Sequence, residues 1–410
     1  MFKRSIAGLL LPLLIHCGEK PEPSQEQQSL PVVENDDQIP LTCGIEKSHV
    51  TFANSVVQTL YGRDLSEGER RQAEQPEFNR EAFVDAALNH HEADYGFSLF
   101  LSNLFQLSAI TVNTGLEDEA LIADTTLVAQ LRQEPIELFL RNKDKPWPWF
   151  FTTREIYCTK ETAPLYDFPL YEGNGFSRCT LPDNRAGFLG LASVLRAVPS
   201  DFVSVNNNYK RVAFALYLAQ GVRLLAATNG PRGEGPGDPL APCVPVTDIR
   251  QDPGGLSYGT AMVPMEGATC ASCHSPHNGP LSVAFRHFRE DGSTFTIRNL
   301  EELNNEERHG HPPELLTEIL NESESCWAPT PGIPPRPFAG QPGLSRLIVQ
   351  SGTLATALSV QIAASLGNLE STIEMSQSIR QSYETGGQTL QSAIRGYFLS
   401  QTFQCAQVAD

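Results

Sequence analysis

The chain is short of cations, methionine and long apolar runs. Its 410 residues hold 30 Lys and Arg against 48 Asp and Glu, a formal net charge of −18. That balance argues against nucleic acid as a partner and against peripheral attachment to anionic lipid, both of which need a basic face. It favours solubility and a basic protein partner. After the amino-terminal leader no stretch is apolar for long enough to span a bilayer. There is no His-Glu-x-x-His zinc helix. Acidic residues are plentiful, but none forms a pair that spacing alone can place. No internal repeat is visible and strand patterns are few, which points to a mainly α fold.

Against these absences stands one dense motif, Cys270-Ala271-Ser272-Cys273-His274. A Cys-x-x-Cys-His run is the attachment pattern of c-type haem. Two thiols one helical turn apart add to the haem vinyl groups, and the adjoining imidazole reaches the iron. A structural disulfide loop, a thioredoxin-like redox pair and half a zinc site are the competing readings. No second Cys-x-x-Cys completes a zinc site. No βαβ pattern surrounds the motif to suggest thioredoxin. The expectation is one covalent haem c, with Cys270 and Cys273 as attachment residues and His274 as the proximal iron ligand.

Haem of this type is attached outside the cytoplasm, and the amino terminus reads accordingly. Lys3 and Arg4 precede an apolar stretch from Ile6 to Ile15, interrupted by Pro12. This is the size of a signal-peptide core and too short for a spanning helix. Leu14-Ile15-His16-Cys17-Gly18 resembles a bacterial lipoprotein box, with His16 where a small residue is usual. The expectation is a lipoprotein signal over 1–17, lipidation at Cys17, and a membrane-anchored chain in the bacterial cell envelope. Ordinary secretion with cleavage elsewhere is the competing reading. Residues 18–42 are rich in Pro, Glu, Gln, Ser and Asp. Such a segment cannot bury enough apolar surface to offset its ordering entropy, so a disordered tether is expected.

Nine cysteines suit an oxidising compartment. Apart from Cys17 and the haem pair, Cys43, Cys158, Cys179, Cys243, Cys326 and Cys405 remain. Cys158 and Cys179 bracket a Pro-, Tyr- and Gly-rich loop and are expected to pair locally. Cys243 with Cys326 and Cys43 with Cys405 would complete one of the fifteen possible connectivities.

The body divides by pattern. Residues 43–150 read as a helical domain, in which Val50, Ala53, Val57 and Leu60 share a face and Ser66 with Glu69 can form a capping box. His90 and His91 read as solvated residues at a helix end. Trp147, Trp149, Phe150 and Phe151 read as a core cluster. Residues 151–235 form a middle helical domain carrying the Cys158 and Cys179 loop. There Asn206 to Asn208 can cap a helix bearing Val212, Leu216, Ala219 and Val222. A Gly- and Pro-rich linker from Pro231 to Pro245 leads to the haem region, 243–327. A second Pro-rich loop leads to a carboxy-terminal helical domain, 337–410. There Leu354, Leu358, Ile362 and Leu366 recur every four residues, as do Leu390 and Ile394 with Tyr397 and Phe398.

Several of these segments, in order, resemble one known family, the multi-domain single-haem cytochromes called planctomycete-type cytochrome c. Arg185-Ala186-Gly187-Phe188-Leu189-Gly190-Leu191-Ala192-Ser193-Val194-Leu195 is similar to its Arg-Gly-Gly-Leu-Leu-Thr-x-x-Ser-Val-Leu segment. Lys210-Arg211-Val212 stands at its Arg-Gly helix start. The Cys270 to His274 motif, followed by Ala284-Phe285-Arg286-His287-Phe288 and Gly292, resembles its haem block. Phe338-Ala339-Gly340 to Leu347, Leu366-Gly367 and Ser400-Gln401-Thr402-Phe403 resemble its carboxy-terminal domain. The family's Met-Asp-Pro run is replaced by His277-Asn278-Gly279, and its acidic helix pair by Arg286 and Arg289. The resemblance implies an embedded cytochrome c-like haem domain in a helical, extracytoplasmic protein.

The distal side of the iron is open on the sequence. His277 is too close to His274 to reach the opposite face. Met262, Met265, His309, His311 and Met375 are the candidates, and His311 and Met265 lead. Three functions compete. An electron-transfer lipoprotein with a redox partner protein leads. A haem enzyme with an open, peroxide-linked iron site, and a surface-binding lipoprotein with structural haem or disulfide, are the alternatives.

Overall fold

The computed structural model describes residues 46–112, 124–168, 171, 173–197, 208–221, 283–285, 288, 292–293, 324–327, 336–367 and 372–405. These residues are 64% helical, and their only strands are two short antiparallel pairs, so the protein is mainly α.

The first helices follow from their caps and apolar spacing. Helix α1 (His49–Tyr61) starts where the Ser48 side chain accepts from the Thr51 N–H, and buries Phe52, Ala53, Val56, Val57 and Leu60. The expected face is present, with Val50 at its partly buried edge. Helix α2 (Glu67–Ala73) carries the expected capping box. The Glu69 N–H donates to Ser66 Oγ at 3.3 Å, and the Ser66 N–H donates to Glu69 Oε2 at 2.7 Å. Helix α3 (Arg80–Asn89) ends just before the exposed His90 and His91. Helix α4 (Ala93–Leu104) packs on α1.

Helix α5 (Thr125–Leu140) contains Pro135 and buries Val128, Leu131, Glu134, Ile136, Leu138 and Phe139. The short helix α6 (Trp149–Thr152) then delivers aromatic rings to the core. Trp147, Phe150 and Phe151 are buried and converge on Phe188, whose ring stacks on Phe150 at 5.3 Å. Trp149 is partly buried against them. Strand β1 (Glu155–Cys158) pairs with β2 (Ser177–Thr180), opposing Cys158 to Ser177 and Ile156 to Cys179. That register brings Cys158 and Cys179 to a Cα separation of 6.0 Å, and they form the expected disulfide.

Helices α7 (Ala192–Ala197) and α8 (Asn208–Gln220) follow. Of the residues expected on the α8 face, Val212, Leu216 and Ala219 are buried. Strands β3 (Glu324–Trp327) and β4 (Arg336–Ala339) form the second pair and lead into α9 (Gly340–Gln350). Helix α10 (Leu354–Ile362) passes into a wider π turn over Ala363–Gly367, which absorbs the last step of the four-residue repeat at Leu366. Helices α11 (Ile373–Thr385) and α12 (Leu390–Leu399) pack as a hairpin, and α13 (Gln401–Gln404) closes the described chain.

The two ends of the described chain lie together. Glu46 forms an antiparallel bridge with Cys405, and the Lys47 N–H donates to Gln404 O at 2.9 Å. Helix α12 crosses α3, where Arg395 bonds Asp85 at 2.6 Å and also reaches Glu81. Cys405 is disulfide-bonded. The buried side chains from Phe52 to Phe403 form one contiguous core. Among the described residues no single helix is long and apolar enough to cross a membrane.

Candidate functional site: a buried clamp downstream of the Cys-x-x-Cys-His motif

Cys270, Cys273 and His274 lie outside the described residues, as do Met262, Met265, His277, His309, His311, Cys17, Cys43 and Cys243. Of Cys326 the structure describes the backbone, paired with Pro337 in the second strand pair. Met375 is fully buried in the core on α11. Among the described residues no group of three or more His, Cys, Asp or Glu could hold a metal ion. The donor set of the motif itself, two thiols and an imidazole within five residues, suits covalent haem attachment.

What the structure describes is the seat of the chain that runs on from the motif. The turn Val283–Phe285 packs against α9 and α8, with Ala284 and Phe285 buried. Phe288 is buried, and its N–H donates to Phe285 O at 3.1 Å. Two buried arginines take hold of this segment. Arg211, near the start of α8, donates from Nε to Leu195 O at 3.2 Å and from Nη1 to Phe288 O at 2.8 Å. Arg185 donates from Nη2 to Gly292 O at 2.6 Å and to Leu165 O at 3.1 Å, and from Nη1 to Gly190 O at 3.1 Å. Its guanidinium also lies over two rings, 4.7 Å from the Phe288 centroid and 5.2 Å from that of Tyr166. Carbonyl dipoles and ring faces are what a desolvated guanidinium needs in place of water.

Gly292 shows how close this seat is. Its φ is +83°, and a Cβ there would lie 2.6 Å from Ala192 Cα. A side chain would meet both backbone strain and the first residue of α7.

A buried carboxyl completes the group. Glu134 is fully buried on α5. It accepts from Tyr166 Oη at 2.6 Å and from the Ser193 N–H at 3.2 Å, while Tyr166 Oη accepts from the Ala192 N–H at 2.8 Å. Burial pushes its carboxyl up to about 7, against the opposing pull of Tyr166, Ser193 and Arg185. Burial and the neighbouring Glu134 push the Tyr166 phenol well above its usual range. On the other side, Gln341 of α9 pairs with the Ala186 backbone, accepting from its N–H at 2.7 Å and donating to its carbonyl at 2.9 Å. The segment Arg185 to Ser193 is thus tied to α5, α9 and the chain downstream of the motif.

Sequence reasoning did not single out Glu134, Tyr166 or Gln341. Their partners are distant in the chain, and the one local sign is Glu134 beside Pro135 inside an otherwise apolar helix. It also passed over Gly255-Leu256-Ser257-Tyr258-Gly259, which matches Gly-x-Ser-x-Gly and lies outside the described residues. A nucleophile elbow needs an apolar strand leading into it. The preceding Arg250-Gln251-Asp252-Pro253-Gly254 is polar and turn-forming, so the pattern carries no hydrolase reading. No family model, curated protein or solved structure matches this chain.

Proposed function

We propose that the protein is a lipid-anchored, extracytoplasmic c-type cytochrome that carries one covalent haem and transfers electrons to or from a partner protein, a basic one by charge. The observation that carries this reading is the Cys270-Ala271-Ser272-Cys273-His274 motif. The leader supports it, because Lys3, Arg4, the apolar run and Cys17 read as export and lipidation. Cys270 and Cys273 would hold the group and His274 would bind the iron, with His311 or Met265 closing the opposite face. Bound there, haem supplies a one-electron couple whose potential follows the axial ligands and burial.

Mass spectrometry tests the reading. Chain matured in a periplasm is expected to keep one haem mass through denaturation, because thioether links are covalent. Cys270→Ala or Cys273→Ala should weaken the adduct, and the double change should abolish it. Wild type without the adduct under these conditions overturns the proposal. The visible spectrum with and without reductant separates the carrier from an enzyme. A six-coordinate low-spin iron is expected of the carrier, and a high-spin iron that binds carbon monoxide indicates the open site.

Anchoring has its own test. Wild type is expected in the membrane fraction with a lipidated Cys17 as its first residue. Cys17→Ser should leave the chain uncleaved or release it to the soluble fraction. An unlipidated wild-type chain starting elsewhere contradicts the anchor and leaves the haem reading standing.

A further inference from the structure

We propose that Arg185 and Arg211 are positioning residues, which fix the chain leading out of the Cys-x-x-Cys-His motif on the helical body and so set the surroundings of the group that the motif would carry. This rests on the cytochrome reading and goes beyond it, because it assigns a role to residues outside the motif.

The argument starts from cost. A buried guanidinium is expensive unless its charge and most of its donors are answered. A core that needed only packing could fill these positions with apolar residues at less risk. Here both arginines are spent on main-chain carbonyls of the same downstream segment, Phe288 O and Gly292 O. Bonds from an ion to a carbonyl are stronger than neutral ones and fix direction as well as distance. Arg185 adds the face of Phe288. Three attachments therefore fall within five residues, beside the glycine that lets the chain lie against Ala192.

The arginines are themselves held from the body. Arg185 shares the Tyr166 ring with the Glu134 hydrogen bond and donates to two body carbonyls, Leu165 O and Gly190 O. Arg211 is braced on Leu195 O at the end of α7. The clamp therefore links the long α5 to a segment that begins at Phe288, 14 residues beyond His274, and Ala284, ten residues beyond it, is already buried. A fully extended chain of ten residues spans at most about 36 Å. The seat thus bounds how far the motif can stand from the body.

The test compares full-length, periplasm-matured wild type with Arg211→Met and the milder Phe288→Leu. Haem content, amide exchange and midpoint potential are measured for each. Both variants are expected to keep the haem adduct and wild-type helical content. Exchange of amides in 284–293, with the Phe288 N–H as reporter, should speed at least tenfold in Arg211→Met while α1, α4 and α12 stay protected. The midpoint potential should shift in both variants. Unchanged exchange in 284–293, or an unchanged potential, overturns the proposal. So does faster exchange spread evenly over all helices in both variants, which marks a general stabilising role. A wild type without the haem adduct overturns the cytochrome reading instead, and exchange in 284–293 then decides the docking role by itself.

Discussion

Gly187→Ala is expected to cost the body about 2 to 6 kcal/mol, overpacking and backbone strain together, a large share of the margin of a domain of ordinary stability. The residue has φ +51° and ψ −159°, a region essentially reserved for glycine. A Cβ there would lie 2.3 Å from both Phe150 O and Phe151 C, backbone atoms of α6 that have no side-chain freedom to yield. The chain cannot back away, because the Gly187 N–H donates to Thr153 O at 2.6 Å. The next residue, Phe188, is packed among Phe105, Trp147, Phe150 and Phe151. Moving the turn therefore means unpacking the aromatic centre of the core. Urea unfolding followed by circular dichroism checks this. A midpoint within error of wild type would mean that the turn can relax in a way its contacts do not suggest.

Much of the helical frame was legible because its signals are local. The α1 face, the Ser66 and Glu69 capping box and the periodic apolar residues of α10 and α12 each lie within a few turns of helix. The closing Ser400-Gln401-Thr402-Phe403 was read only as part of the resemblance, and the structure gives it a local reason: Ser400 Oγ accepts from the Phe403 N–H to cap α13. The Cys158 and Cys179 pair was readable from its loop, and the strand register explains it. The segment from Arg185 to Leu195 was recognisable only as a resemblance, and the structure supplies physical reasons for three of its positions. Gly187 permits the turn, Phe188 fills the core, and Arg185 reaches a carbonyl 107 residues further on. No spacing rule reads a bond of that separation. For the same reason Arg211 looked like a helix start and Glu134 like one more acidic residue. The chemistry-bearing motif was legible from five consecutive residues, whereas its setting depends on contacts that sequence periodicity does not carry.

Glu134 should make the folded body less stable as pH rises from about 4.5 to about 7. Its ordinary carboxyl value is 4.5, and in the fold burial pushes it to about 7. Between those values the unfolded chain has released the proton and the folded chain retains it. Stability therefore falls with pH across this window and levels off above it. The shift corresponds to about 3 kcal/mol. Tyr166 and Arg185 are the titratable and charged groups that face the carboxyl; their pull favours the ionised form but is outweighed by desolvation. Glu69 behaves oppositely. Its bonds to Arg63 hold it down to about 2, so its contribution is present above about 4.5 and is lost as pH falls through 2. Urea midpoints measured at intervals from pH 4.5 to 8 should thus decline toward neutrality in wild type. Glu134→Gln should flatten that decline, since the amide keeps an oxygen acceptor and cannot ionise. The slope is the informative quantity, because the Gln nitrogen also brings a donor near the Ser193 N–H and can lower stability at every pH. An undiminished decline in Glu134→Gln would assign the pH dependence to another group and remove Glu134 as the buried titrating centre of the clamp.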